Sequence, residues 1–224
     1  MAKAIFFDLD GTLTDSGEGI INCASLALEH FGIPVPSREE MGVFVGPPLD
    51  KTFIQFGVPE DRAQEAIDVF RSRYLVTGKW ENAPYPGIHD LLDTLKKQGH
   101  RLFVATSKPE VTALEVIAKF QLTDYFEMIC GATLDGTRVH KADVITYLLN
   151  KVGNMQDIVM VGDTEFDVLG AAAHGIPTIG VSWGYGKVEA MVEAGATEFV
   201  ECGPGQALTG MITKIAKDAV VRHA

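Results

Sequence analysis

Short apolar runs that stop abruptly at polar residues recur along the chain. Residues 4–7 end at Asp8, 102–105 at Thr106, and 158–161 at Gly162-Asp163. Runs this short and this uniformly apolar predict parallel strands buried on both faces, with polar groups at their carboxyl ends. Helix-length stretches separate them: 88–97 closed by Gly99, 110–120, 142–151, and 166–174 closed by Gly175. Residues 176–181 and 198–200 supply further strands, and 207–221 a final amphipathic helix. This alternation predicts an α/β fold, a doubly wound, Rossmann-like parallel sheet.

Residues 16–83 break the alternation. No strand pattern occurs there, but Ile20, Ile21, Ala24, Ala27, Leu28 and Phe31 fall on one helical face. Ser37 and Glu40 have capping-box spacing, and 49–56, stopped by Gly57, and 60–75 add two more helices. The pattern predicts a small helical unit, residues 16–83, inserted after the first strand of a main unit formed by 1–15 and 84–224. Re-entry through Asn82-Ala83-Pro84-Tyr85-Pro86-Gly87 is stiffened by two prolines.

Charge narrows the partners. With 30 acidic and 19 basic residues the net charge is −11, which repels a nucleic-acid backbone and an anionic membrane surface. Neither is expected as a partner. A phosphorylated ligand would be repelled too, unless a lysine, backbone amides or a bound cation supplied local positive charge. Three scattered cysteines, Cys23, Cys130 and Cys202, give no disulfide framework and no metal-binding pair. Reduced thiols, a cytoplasmic location and a monomer, with a dimer left open, are the expectations. No signal-like or membrane-length apolar stretch is evident.

Candidate chemistry gathers where strands end. Asp8-Leu9-Asp10-Gly11 places two carboxylates two residues apart, facing the same way if strand geometry persists. Such a pair suits a cation, proton transfer, or both, although a solvated acidic turn has the same composition. Val161-Gly162-Asp163-Thr164-Glu165-Phe166-Asp167 offers more carboxylates, or an ordinary helix cap. Thr106, Ser107 and Lys108 precede Pro109, which is expected to open a helix whose free amides could seat phosphate. Trp183 and Tyr185 fit either a packed loop or a substrate wall.

Taken in order, DLDGTLTDS, the strand ending in Thr106, Lys141 and GDTEFD resemble the four motifs of the haloacid dehalogenase superfamily. The helical insertion is similar to that superfamily's type 1 cap, and the phosphoglycolate phosphatase-like group is the nearest likeness. The resemblance implies a phosphatase acting on a small phosphorylated metabolite. Asp8 would be the nucleophile and Asp10 the acid and base. Mg²⁺ would be held by Asp8, the carbonyl of Asp10 and Asp163, with Asp167 behind them. Thr106 and Lys141 would bind the transferring phosphoryl group. Ser107, Lys108, Gly46 and Lys51 are expected at the substrate, the last two from the cap. The chain departs from the family where Lys141 is followed by Ala142 instead of proline, which leaves Lys108 as a rival, and Glu165 competes with Asp167. A phosphosugar mutase resembling β-phosphoglucomutase, or a non-catalytic phosphometabolite-binding protein, are the alternative outcomes of the same scaffold.

Overall fold

In chain order the computed structural model contains β1 (Ala4–Phe7), β2 (Thr14–Asp15), α1 (Gly17–His30), α2 (Arg38–Met41), α3 (Leu49–Gln55), α4 (Ala63–Tyr74) and β3 (Ala83–Pro84). There follow α5 (Ile88–Lys97), β4 (Arg101–Pro109), α6 (Glu110–Lys119), β5 (Met128–Ala132), α7 (Lys141–Val152), β6 (Ile158–Gly162), α8 (Glu165–Ala172), β7 (Thr178–Val181), α9 (Val188–Glu193) and β8 (Glu198–Val200). The structure describes residues 3–200, apart from 154 and 197; the expected helix at 207–221 and Cys202 lie outside them.

The main sheet is parallel, with strand order β5-β4-β1-β6-β7-β8. β1 lies inside it between β4 and β6, which explains why all four of its residues are buried and apolar. Strand side chains alternate between faces. Ile5 and Phe7 pack with Leu91, Leu92 and Leu95 of α5 and Val116 of α6, whereas Ala4 and Phe6 pack with Val144, Ile145 and Leu148 of α7. The sheet is therefore wound on both faces, and the winding reverses between β1 and β6. Ligands of open α/β sheets bind beyond the strand carboxyl ends at such a reversal.

The helical segment after β1 builds its own apolar core. Ile20, Cys23, Ala24, Leu28, Phe44, Phe53, Phe70 and Tyr74 share a cluster, on whose rim Tyr185 of the main unit packs. The capping box forms: Ser37 N donates to Glu40 Oε2 at 3.0 Å, and Glu40 N donates to Ser37 Oγ at 3.3 Å. It starts only the four-residue α2. The two ends of the helical segment meet in a ribbon, with Thr14 opposite Pro84 and Asp15 opposite Ala83. Neither this ribbon nor β5 is apparent in the hydrophobic pattern.

β4 also runs further than expected. Pairing with β5 continues to Pro109 after a shift in register beyond Ala105, and α6 begins at Glu110. Thr106, Ser107 and Lys108 thus form an irregular strand end, and α6 opens after Pro109, where the sequence places it.

Candidate active site

Strand geometry does not carry through the Asp8-Asp10 pair. β1 stops at Phe7, and the chain turns so that Gly11 N and Thr14 O bond at 2.8 Å. Each carboxylate takes its own lysine. Lys141 Nζ lies 2.7 Å from Asp8 Oδ1 and 2.7 Å from Asp167 Oδ1, and donates to the Ala105 carbonyl at 2.9 Å. Lys108 Nζ donates to both oxygens of Asp10, at 2.8 and 2.7 Å, and to the hydroxyl of Tyr74. The two rival lysines thus have separate carboxylate partners.

Asp8, Asp163 and Asp167 come from the ends of β1 and β6 and the start of α8, and each offers an oxygen within 4.8 Å of the others. All three are buried. Burial pushes Asp8 up to about 6, against the pull of Lys141 and with the help of Asp167. Asp163 is held well above its ordinary value by burial, Asp167 and Asp8. Burial alone would discharge Lys141, yet Asp167 and Asp8 raise it above the usual lysine range. Three buried carboxylates against one ammonium leave an excess of negative charge, and Asp8 Oδ1 and Asp167 Oδ1 have no hydrogen-bond donor beyond that ion-pair contact.

A divalent, oxygen-seeking cation fits this set. Asp163 is already aimed: Thr12 Oγ1 donates to its Oδ1 at 3.0 Å and Tyr185 N to its Oδ2 at 2.9 Å. The room around it depends on two glycines. A Cβ at Gly11, where φ is +82°, or at Gly184 would stand 2.2 Å from Asp163 Oδ2. Asp167 faces away from this pocket as much as into it, because its Oδ2 accepts from Thr164 N at 3.1 Å and Thr164 Oγ1 at 2.9 Å. That bonding suits a residue that orients Lys141 at the start of α7. Glu165 lies outside the cluster. The carboxylate of Asp10 lies outside it too, tied to Lys108, so only its main-chain carbonyl remains for a cation.

The cluster opens into a cleft of about 460 Å³ between the two units, walled by Asp8, Asp10, Thr106, Ser107 and Lys108 on one side. Gly46 lines the other side, where a Cβ would come 3.1 Å from Thr164 Cγ2. Lys51 does not line it. Buried Thr52 and Phe53 define the inner face of α3, and Lys51, turned away from Phe53 by two helical steps, is exposed. Residues not singled out in the sequence take its place: Gln64, Arg71 and Tyr74 of α4 face the cleft. Their spacing with Ile67, at 64, 67, 71 and 74, is that of one helical stripe, and polar residues interrupting an apolar stripe were the available signal. Among the described residues Arg71 has no ion-pair partner. Trp183 and Tyr185 form a packed loop: Trp183 Nε1 donates to the Thr12 carbonyl at 3.1 Å, and the Tyr185 hydroxyl donates to Asp15.

The sequence profile of the haloacid dehalogenase-like hydrolases matches residues 5–181. The chain belongs to that family. A 5′-nucleotidase from Pseudomonas aeruginosa is 45% identical over 185 residues, 82% of this chain and 84% of the relative. The tyrosine-protein kinase PtkA from Mycobacterium tuberculosis is 44% identical over 188 residues, 84% of this chain but only 64% of the relative. Its solved structure superposes with a TM-score of 0.83 and 39% identity, covering 96% of this chain and 98% of that one. A phosphoglycolate phosphatase from Agrobacterium fabrum is 31% identical over 200 residues, 86% of this chain and 85% of the relative. No described helix is long and apolar enough to cross a membrane.

Proposed function

We propose that the protein is a Mg²⁺-dependent phosphomonoesterase that works through an aspartyl-phosphate on Asp8, with nucleoside 5′-monophosphates the first substrates to test. The observation that carries this reading is Asp8 itself: a buried carboxylate facing an open cleft, 2.7 Å from an ammonium and clustered with Asp163 and Asp167. The family and the 5′-nucleotidase relative support the same direction. Phosphoglycolate and sugar phosphates remain within the class, since the cleft is lined by more than one kind of polar group.

In the proposed cycle Asp8 attacks phosphorus as the bond to the leaving oxygen breaks, and Asp10 gives that oxygen a proton. Water then attacks phosphorus, Asp10 takes its proton, and the Asp8 carboxylate is restored as phosphate departs. Lys141 and Thr106 would meet the charge that accumulates on the phosphoryl oxygens. Bound at Asp8, Asp163 and the Asp10 carbonyl, Mg²⁺ would neutralise the carboxylates and polarise the phosphoryl group. Arg71 and Gln64 would meet the leaving group, because they face the cleft from the helical unit. The cleft's small size and the acidic balance favour a small metabolite over a polymer.

The test is release of inorganic phosphate from a panel of nucleotides, phosphoglycolate and sugar phosphates with Mg²⁺. We expect turnover with the wild type, none after chelation, and none with Asp8→Asn. Turnover that survives Asp8→Asn removes the nucleophile from the scheme, and conversion of a sugar phosphate to its isomer without phosphate release makes the protein a mutase.

A further inference from the structure

Tyr74 ends α4 and is 6% exposed. Its ring stacks on Phe70 with centroids 5.0 Å apart, while its hydroxyl leaves the helical unit and meets Lys108 Nζ of the main unit. An ammonium has three N–H donors and no acceptor. Here two go to Asp10 and the third to Tyr74, so the donor set is complete. Burial would discharge Lys108, yet Asp10 and Tyr74 keep its affinity for the proton above the ordinary lysine value. Both oxygens of Asp10 therefore accept from one ammonium, which fixes the plane and direction of the carboxylate.

We propose that Tyr74 is a positioning residue for hydrolysis of the aspartyl-phosphate: its hydroxyl fixes the Lys108 ammonium, which in turn holds the Asp10 carboxylate where it takes the proton of the attacking water. The inference rests on the phosphomonoesterase reading above. In the step it serves, the water oxygen bonds to phosphorus, the bond between phosphorus and the Asp8 oxygen breaks, and the water proton passes to Asp10. Because Tyr74 belongs to the helical unit, Asp10 is fully held only while that unit sits on the sheet. Phosphoryl transfer to Asp8 asks less of the contact, since a protonated Asp10 still has one oxygen free for Lys108.

Tyr74→Phe keeps the ring and removes the hydroxyl. In rapid-quench experiments with a nucleoside 5′-monophosphate and Mg²⁺, we expect decay of the phosphoenzyme to slow about tenfold, within what general-base placement contributes. Its formation should change less than about twofold, so kcat falls while kcat/KM holds, and phosphoenzyme accumulates. A packing control, Phe70→Leu, disturbs the same ring stack and leaves the hydroxyl in place; it should not produce the split. Equal slowing of both steps, no slowing of either, or the same split in Phe70→Leu overturns the assignment of Tyr74. If the wild type forms no phosphoenzyme, or Asp8→Asn still forms one, the catalytic reading fails instead, and this inference with it.

Discussion

Ionisation of Asp8 should destabilise the metal-free fold as the pH rises from about 4 to about 6, against the opposite trend of surface carboxylates such as Glu65, which Arg62 and His30 hold low. Burial pushes the Asp8 carboxyl from 3.8 to about 6 in the folded chain. Unfolding returns it to the ordinary value, so between these limits the folded state binds the extra proton and each step up in pH favours unfolding. The separation of about 2 pH units is worth ~3 kcal/mol, absent below pH 4 and complete above pH 6. Asp163, raised in the same direction by burial, adds to the slope. Urea unfolding in the presence of a chelator, for wild type and Asp8→Asn across this range, reads the Asp8 share, together with the part of the Asp163 shift that Asp8 causes, as the change in their stability difference. A cation that binds only the folded carboxylates restores what ionisation removes, so Mg²⁺ should raise the urea midpoint more at about pH 7 than at about pH 5. Parallel profiles for the two proteins would refute the argument, as would an equal effect of Mg²⁺ at both pH values.

Two further outcomes follow from packing. Gly184→Ala puts a Cβ 2.2 Å from Asp163 Oδ2 and should weaken Mg²⁺ binding by about tenfold or more, read by titration calorimetry, since supports of ligand orientation have effects of that order; unchanged affinity would mean that Asp163 is not a ligand. Phe53 is wholly buried between Phe44 and Phe70, and Phe53→Ala should cost about 3–5 kcal/mol in urea unfolding. A cost below about 1 kcal/mol would mean that the helical unit unfolds without affecting the main transition.

The strands inside the sheet were legible because burial on both faces leaves a mark that few other elements leave: four or five apolar residues, then a polar one. That mark located β1 and β6, and with them Asp8 and Asp163. It failed at β5, where only Ile129 and Cys130 stand between a methionine and a glycine at the sheet edge, and at the two-residue strands β2 and β3. Helical periodicity identified α3 and α4 but could not say which of their faces meets the other unit. Lys51 therefore drew attention that belongs to Arg71 and Tyr74. Partner choice was hidden for the same reason: whether Lys108 or Lys141 serves Asp8 depends on the turn after Phe7 and on the irregular end of β4, neither of which hydrophobic pattern encodes.

Thr14–Asp15 and Ala83–Pro84 run side by side where the helical segment departs and returns. A graft joined through so narrow a neck makes few demands on its host: its length, helix count and lining could all change while the strand order of the sheet stays as it is. Substrate choice can therefore diverge among descendants of one such chain with the nucleophile left untouched, and a chimera exchanging residues 16–83 between two of them is the natural unit of transplantation.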